Sequence, residues 1–163
     1  MKKDFYRKLH DLVMEHSRLH RLVVWGVKIL PGIVYASYPL LVVYLAVCRR
    51  EDLLRGILVP AVGFLLVTWL RAWINAPRPY EAMDIPAITP KDTKGKSFPS
   101  RHAACGAVIA VTAIYTAPVL GWSLFAVSLL IAVSRVLAGV HYIKDVMAGW
   151  LLGAGIGLLG FLI

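Results

Sequence analysis

The sequence predicts an all-α integral membrane protein with about five transmembrane helices and an N-terminal amphipathic helix in the membrane interface. Of the 163 residues, 59% are hydrophobic, and the mean hydropathy is +0.70. Several windows approach the roughly 20 apolar residues that cross a bilayer. The stretch 103–134 contains no Asp, Glu, Lys, Arg or His. A soluble globule does not fit this composition, and the length suits one membrane-embedded domain over residues 1–163.

The interfacial helix is predicted over residues 4–20. Phe5, Leu9 and Leu12 recur there at helical spacing, while charged side chains fill the opposite face. Such a helix lies on the membrane rather than crossing it. We therefore expect residues 1–21 to be interfacial and residues 22–163 to form the helical bundle.

Uncharged runs and the turn signals between them place the five spans. The predicted spans cover residues 22–47, residues 53–74, the two halves of 103–134, and residues 145–163. Pro118 and Gly121 supply the turn signal that divides the long run 103–134. Residues 75–99 form the long polar loop, either a lid over a site or, in its middle part, a plain connector. Four glycines suit close packing of the last span, namely Gly149, Gly153, Gly155 and Gly157.

The formal net charge of +9 indicates contact with anions. On a membrane protein this charge points to lipid headgroups or an anionic substrate rather than to nucleic acid. A basic surface that only sets membrane topology is the alternative. The two cysteines, Cys48 and Cys105, lie in or beside apolar segments and suggest neither a disulfide framework nor a zinc site.

Three polar clusters lie beside the apolar spans. The first runs from Arg71 to Arg78-Pro79, the second is Phe98-Pro99-Ser100-Arg101-His102, and the third runs from Ser134-Arg135 to His141 and Asp145. Ionisable residues next to membrane-spanning sequence are candidates for function. If His102 and Arg135 serve one site, residues 103–134 must cross the membrane and return, which predicts a helical hairpin.

The residue types in these clusters suit phosphate chemistry. Arginine matches phosphate oxygens with a fixed fork of donors, and Ser100 is a predicted N-cap at a helix start that can bind an anion. His141 and Asp145 are four residues apart, so a helix would place them on one face. The carboxylate would then hold one imidazole nitrogen and leave the other as nucleophile or base. Two histidines beside such a phosphate site suggest a division of labour, in which one attacks phosphorus and the other protonates the leaving oxygen.

A metal site is the alternative use of His102, His141 and Asp145. The neighbouring arginines would repel a cation. We therefore expect neither a metal nor another cofactor.

The three clusters resemble, in order and spacing, the motifs of the type 2 phosphatidic acid phosphatase superfamily, also called lipid phosphate phosphatases. The third cluster matches that pattern in full from Ser134 to Asp145. The first has Arg71 where the pattern has lysine, and the second has Arg101 where it has glycine. Arg71 keeps a positive charge, and Arg101 adds one at the mouth of the expected site.

This resemblance implies a metal-independent lipid phosphatase that works through a phosphohistidine intermediate. His141 would be the nucleophile, Asp145 would orient it, and His102 would be the general acid that later helps to activate water. The residues implied to hold the phosphoryl oxygens are Arg71, Arg78, Ser100 and Arg135. Three further residues are candidates at the substrate mouth, namely Lys96, Arg101 and Ser134.

The layout is similar to that of small bacterial undecaprenyl-diphosphate phosphatases, which recycle the carrier lipid of cell-wall synthesis. Other members of the superfamily act on phosphatidic acid, phosphatidylglycerol phosphate or lipid A phosphates, and the sequence leaves these substrates open. A non-catalytic protein that binds or transports anionic lipids would use the same arginines, and the same intermediate would permit phosphate transfer between lipids. The oligomeric state is also left open.

The sequence gives two conflicting signals about orientation in the cell (inner, cytoplasmic) membrane. The positive-inside rule places the cationic face, which carries the three clusters, in the cytoplasm. The resemblance implies the extracytoplasmic face. We favour the extracytoplasmic face, because several of these cations bind substrate or lie on the interfacial helix.

Overall fold

The computed structural model describes residues 2–89 and 93–162. Within these ranges the chain forms helices and no strand. The helices are α1 (Lys2–Glu15), α2 (Ser17–Cys48), α3 (Arg50–Ile74), α4 (Pro79–Ala82), α5 (Arg101–Thr116), α6 (Pro118–Leu137) and α7 (Ile143–Leu162). The predicted all-helical fold is confirmed.

Four of these helices lie in stretches long and apolar enough to cross a membrane, namely α2, α3, α6 and α7. The fifth predicted span corresponds to α5, which has 16 residues and is therefore about 24 Å long. Twelve of those residues are buried, because α5 lies in the middle of the bundle and packs against α3, α6 and α7. The molecule is thus a multi-pass membrane protein with one short, enclosed central helix.

The outer surface of the bundle is apolar, as a bilayer requires. Leu40 is 70% exposed, Leu65 is 65% exposed and Leu151 is 61% exposed. Several polar and charged side chains are instead buried, among them Arg71 and Asp145. Lipid tails solvate apolar side chains, so polar groups in the membrane face the interior of the bundle.

The boundary of the interfacial helix differs from the prediction. Helix α1 ends at Glu15 rather than near residue 20, and α2 begins at Ser17 rather than at residue 22. His16 separates the two helices with an extended backbone, and its Nδ1 lies 2.9 Å from the carbonyl oxygen of Leu12. This contact satisfies a carbonyl group that the end of α1 leaves without a helical partner. Amphipathic spacing continues across His16, so the sequence pattern did not reveal the break.

The hairpin predicted within 103–134 is confirmed. Helix α5 ends at Thr116, and α6 begins at Pro118, where proline fits the first turn of a helix. Gly121 lies inside α6 rather than in the turn. A Cβ atom there would lie 2.2 Å from the backbone nitrogen of Ile114, so this glycine allows α5 and α6 to approach closely.

The three predicted clusters lie at one end of the bundle. At the opposite end, Arg49 between α2 and α3 donates from Nη1 to the carbonyl oxygen of Thr116, 3.5 Å away. Because the helices alternate in direction, the end of α3, the start of α5, the end of α6 and the start of α7 meet at the other end. That convergence brings together segments separated by more than 60 residues.

Glycines on α7 determine how closely this helix approaches α5. A Cβ atom on Gly149 would lie 2.3 Å from the backbone oxygen of Ser100, and one on Gly153 would lie 2.1 Å from that of Ala104. Gly157 is also closely packed, against Val111. Gly155 faces open space, so the packing role predicted for it is wrong.

Candidate active site

Hydrogen bonds between remote segments assemble the site. Arg71 at the end of α3 donates from Nη1 to the carbonyl oxygen of Pro99 over 2.9 Å. The backbone N–H of Ser100 donates to the carbonyl oxygen of Asp145 over 2.8 Å. Arg135 donates from Nη2 to the carbonyl oxygen of Val27 on α2 over 3.2 Å. The predicted convergence of the three clusters is therefore present.

Three buried arginines form the cationic part of the site. Arg71 is 9% exposed, Arg78 is 6% exposed and Arg135 is 3% exposed. Each donates to one backbone carbonyl oxygen, that of Gly95 in the case of Arg78. None of the three forms an ion pair with a carboxylate within the residues that the structure describes, and Nε of Arg135 is buried without a partner there. Buried charge without a counter-ion is costly, so this cluster fits an anion.

His141 lies beside Asp145, but not on the same helix. Helix α7 begins at Ile143, so His141 precedes it in a turn, and the prediction of one shared helical face is wrong. The contact itself is present, since Nδ1 of His141 lies 3.6 Å from Oδ2 of Asp145. Gly139 has a φ of +70°, and this left-handed residue turns the chain between α6 and His141.

Asp145 lies in the first turn of α7, where its carboxylate also fixes the loop before the helix. Oδ2 accepts the backbone N–H of Tyr142 over 3.0 Å, as an acidic residue near a helix start does. The same oxygen accepts the hydroxyl of Ser97 over 2.5 Å. Asp145 is fully buried, so its orientation is set by these partners.

Burial lowers the pKa of His141 to about 4. Asp145 opposes this shift through its contact with the ring, while the positive charges of Arg78 and Arg71 add to it. The imidazole is therefore neutral at pH 7. A neutral ring has one nitrogen with a free lone pair, as a nucleophile requires.

The second cluster lies at the start of α5. Ser100 is the N-cap residue, as predicted, but its hydroxyl does not cap the helix. That Oγ is buried without a hydrogen-bond partner among the described residues. His102 follows within the first helical turn, and its ring centroid lies 6.4 Å from that of Tyr35 on α2. Arg101 lies over the ring of Phe64, 5.6 Å from its centroid.

The remaining candidates at the substrate mouth lie in different places. Lys96 is exposed in the polar loop and has a φ of +52°. Ser134 is buried, donates its hydroxyl to the carbonyl oxygen of Ile131 and packs against Gly26. Its hydroxyl is bound within its own helix, and a role for Ser134 at the substrate mouth remains a prediction.

Glu81 on α4 holds the described part of the polar loop. Its carboxylate accepts the backbone N–H of Arg78 over 2.7 Å and that of Gly95 over 2.9 Å. Asn75 accepts the backbone N–H of Lys96 over 3.2 Å. Gly95 and Lys96 are therefore bound to residues 75–81, while positions 90–92, in the part predicted as lid or connector, lie outside the described residues.

Two residues of the site were missed by the sequence analysis. Ser97 contacts both His141 and Asp145, and Tyr6 on α1 accepts the backbone N–H of Ile143 over 3.0 Å. Ser97 stands three residues before Ser100, and that proximity was its only signal. Tyr6 carried no signal, because aromatic residues are usual on interfacial helices.

A cavity of about 560 Å³ adjoins the start of α7. It is lined by residues of α1, the polar loop and α7, namely Phe5, Tyr6, Pro77, Met83, Tyr142 and Asp145. The N-terminal helix therefore forms one wall beside the catalytic candidates.

The described residues contain no group of three or more His, Cys, Asp or Glu side chains placed to hold a metal ion. His141 and Asp145 have arginines as their charged neighbours. Absence of a metal from the reaction remains a prediction.

Comparison with known families identifies the family of the chain. The model of the PAP2 superfamily matches residues 52–163. The chain belongs to the PAP2 superfamily. The matched region contains all three clusters of this PAP2 protein, whereas α1 and α2 precede it.

Two relatives are similar in sequence. An undecaprenyl-diphosphatase of Sulfolobus acidocaldarius is 44% identical over 73 residues, which cover 44% of this chain and 35% of that protein. The undecaprenyl-diphosphatase BcrC of Bacillus subtilis is 27% identical over 165 aligned positions, which cover 99% of this chain and 83% of that protein. The first alignment thus spans about a third of its relative, and the second extends through α1 and α2.

Two solved structures share the fold. LpxE of Aquifex aeolicus superimposes with a TM-score of 0.78 at 27% identity, over 98% of this chain and 94% of that chain. A transmembrane PAP2-type phosphatidylglycerolphosphate phosphatase from Bacillus subtilis gives a TM-score of 0.63 at 23% identity, over 96% and 90% of the two chains. The second likeness supports the fold alone.

Proposed function

We propose that this PAP2 protein hydrolyses a lipid phosphate or diphosphate through a phosphohistidine intermediate. One observation carries the proposal. Three buried guanidinium groups, without carboxylate partners in the described chain, lie at the end of the bundle where a neutral histidine contacts a buried aspartate, and two of them, Arg71 and Arg78, act on that histidine. Positive charge arranged in advance around a phosphoryl group stabilises the charge of its transition state.

The reaction proceeds in two displacements at phosphorus. Nε2 of His141 forms a bond to phosphorus while the bond to the leaving oxygen breaks, and His102 gives that oxygen a proton. The oxygen of a water molecule then forms a bond to phosphorus while the bond to Nε2 of His141 breaks. The water transfers a proton to His102, and phosphate leaves. Arg71, Arg78 and Arg135 hold the non-bridging oxygens in both steps, with the Ser100 hydroxyl as a further donor.

An apolar groove beside the site supports a lipid substrate. A cavity of about 350 Å³ lies between α2, α3 and α5, lined among others by Tyr35, Phe64 and Cys105. Tyr35 also contacts His102, and Phe64 also contacts Arg101, so the groove adjoins the second cluster. A hydrocarbon chain in this groove would have its phosphate head at the arginines. The relatives named undecaprenyl-diphosphatase favour a polyprenyl diphosphate over phosphatidic acid, phosphatidylglycerol phosphate and lipid A phosphates.

We propose that the site lies on the extracytoplasmic face of the cell membrane. The cations at this end of the bundle include buried groups such as Arg71 and Arg135, which bind within the protein and do not act as topology signals. Lys96→Cys, at an exposed position, reports the orientation in a Cys48→Ser background, because Cys48 is also exposed and lies at the opposite end. A reagent that does not cross membranes should label this variant in intact cells, and labelling only after the cells are opened would contradict the extracytoplasmic placement.

The activity is tested with purified protein in detergent and excess EDTA. We expect release of inorganic phosphate from undecaprenyl diphosphate, and a panel with phosphatidic acid and phosphatidylglycerol phosphate gives the preference. His141→Ala should abolish turnover, while His20→Ala on α2 should leave it unchanged. Loss of all activity on chelation would contradict the mechanism. Binding of these lipids without hydrolysis would instead indicate a lipid-binding protein.

A further inference from the structure

Ser97 lies between the two residues of the proposed nucleophilic pair. Its side chain is fully buried, and its Oγ lies 2.5 Å from Oδ2 of Asp145 and 3.4 Å from Nδ1 of His141. Nδ1 is 3.6 Å from the carboxylate oxygen, so the ring lies slightly nearer to the serine. The hydroxyl is thus a third member of this group.

The chemistry of the carboxylate sets the direction of the hydrogen bonds. A carboxylate accepts only, so the short contact is the Ser97 hydroxyl donating to Asp145. The lone pairs of Oγ are then available to the N–H at Nδ1 of His141. A ring protonated at Nδ1 has its free lone pair at Nε2, the nitrogen that faces away from this pair.

Hydrogen bonds to the loop before α5 restrain the position of Ser97. Its backbone N–H donates to the carbonyl oxygen of Ala76 over 2.9 Å. The two residues before it are bound by Glu81 and Asn75. The first cluster therefore supports Ser97 from outside while Asp145 binds it from inside.

We propose that Ser97 is a positioning residue for the nucleophile. Its hydroxyl donates to the Asp145 carboxylate and orients it, and its oxygen accepts a hydrogen bond from the N–H at Nδ1 of His141. Together these contacts hold the ring with Nε2 directed at phosphorus. This inference rests on the proposed phosphatase activity. It assigns a role to a residue outside the three clusters in which the sequence placed the chemistry.

The charged groups that face His141 are Asp145 from α7, Arg78 from the loop after α3, and Arg71 from α3. Among the groups of the described residues that act on the ring, Asp145 alone favours its protonated form. Because the Ser97 hydroxyl donates to Oδ2, that oxygen interacts less strongly with the ring of His141 and stabilises its protonated form less. Removal of the hydroxyl should therefore strengthen the contact with Asp145 and move the acid limb of the pH–rate profile to higher pH.

The test compares Ser97→Ala with wild type in the phosphate-release assay. We expect kcat to fall about 10- to 100-fold, the effect of losing one hydrogen bond to a charged group, with KM nearly unchanged. Ser128→Ala is the matched control, because it also removes a buried serine hydroxyl, one that accepts the indole N–H of Trp150 in the bundle. It should keep wild-type kcat. Ser97→Cys, of similar volume but a weaker donor, replaces the alanine variant if that variant does not fold.

A double-mutant cycle with Asp145→Asn separates positioning from a purely structural role. If Ser97 acts through Asp145, its removal should cost little in the Asp145→Asn background, because coupled residues are not additive. Losses that multiply in the double variant, an acid limb that stays in place, or wild-type kcat in Ser97→Ala would overturn the inference. Those results leave the wild-type activity intact, whereas failure of the proposed function would show as a wild-type protein that releases no phosphate.

Discussion

Gly149→Ala tests whether the contact between α5 and α7 sets the geometry of the site. The added Cβ would lie 2.3 Å from the backbone oxygen of Ser100 and 3.0 Å from its nitrogen. Ordinary van der Waals contact begins near 3.4 Å, so the helices must separate by about 1 Å. Backbone atoms form this contact, and no flexible side chain can move aside.

The consequence for catalysis follows from the position of Gly149, four residues after Asp145 and on the same face of α7. The hydrogen bond from Ser100 to the Asp145 carbonyl, 2.8 Å long, would be stretched beyond the usual range. The start of α5, with His102, would move away from His141. A displacement of about 1 Å costs about 100-fold in rate, and overpacking costs about 1–3 kcal/mol of stability.

Gly155→Ala on the same helix is the matched control. A Cβ at that position meets nothing within 4 Å, so we expect unchanged kcat and a small gain in stability of up to about 1 kcal/mol. Phosphate release and thermal unfolding in detergent give the two quantities for both variants. Wild-type kcat in Gly149→Ala, or equal damage from Gly155→Ala, would refute the reasoning.

Three further predictions concern single groups of the site. Arg135→Ala should lower kcat/KM by about 100- to 1,000-fold, which is the cost of losing one preorganised donor to a transition-state oxyanion. Arg49→Ala at the opposite end should have no effect, and similar losses in both variants would contradict the assignment. Burial lowers the pKa of His141 to about 4, so protonation removes the nucleophile only below that pH. The profile of kcat/KM between pH 3.5 and 8 should therefore show its acid limb near pH 4. An acid limb near the ordinary histidine pKa of about 6.5 would count against a buried nucleophile. Tyr6→Phe removes the acceptor of the Ile143 N–H and should lower stability in thermal unfolding by about 0.5–1.5 kcal/mol. Activity should fall only a few-fold. Complete loss of activity would mean that Tyr6 touches the reacting groups.

Much of this arrangement could be predicted from the spacing of residues. The uncharged run 103–134 predicted the α5–α6 hairpin, because two polar ends at one membrane face require the chain to return. Arg71, Arg78 and Arg135 stood out because each is an ionisable residue beside apolar sequence. The assignment of roles to these residues remains a proposal that the experiments above address.

Other features had no local signal. The break at His16 interrupts a continuous amphipathic pattern. His141 and Asp145 have the spacing of one helical face, yet His141 lies in a turn before the helix. Ser97 stands in a polar loop segment that is ordinary for its composition. The structural role of each of these residues depends on which group, distant in the sequence, it contacts.

The sequence by itself determined the membrane class, the helical hairpin and the identity of the charged residues, because hydrophobicity and the cost of charge in a bilayer act on each segment separately. Only the tertiary structure decided that Asp145 binds Ser97 and Tyr142 at once, that the N-terminal helix reaches Ile143, and that Gly149 sets the distance to Ser100. These are contacts between segments far apart in the chain. Their geometry is fixed by how helices of fixed shape pack together, which no local pattern of residues contains.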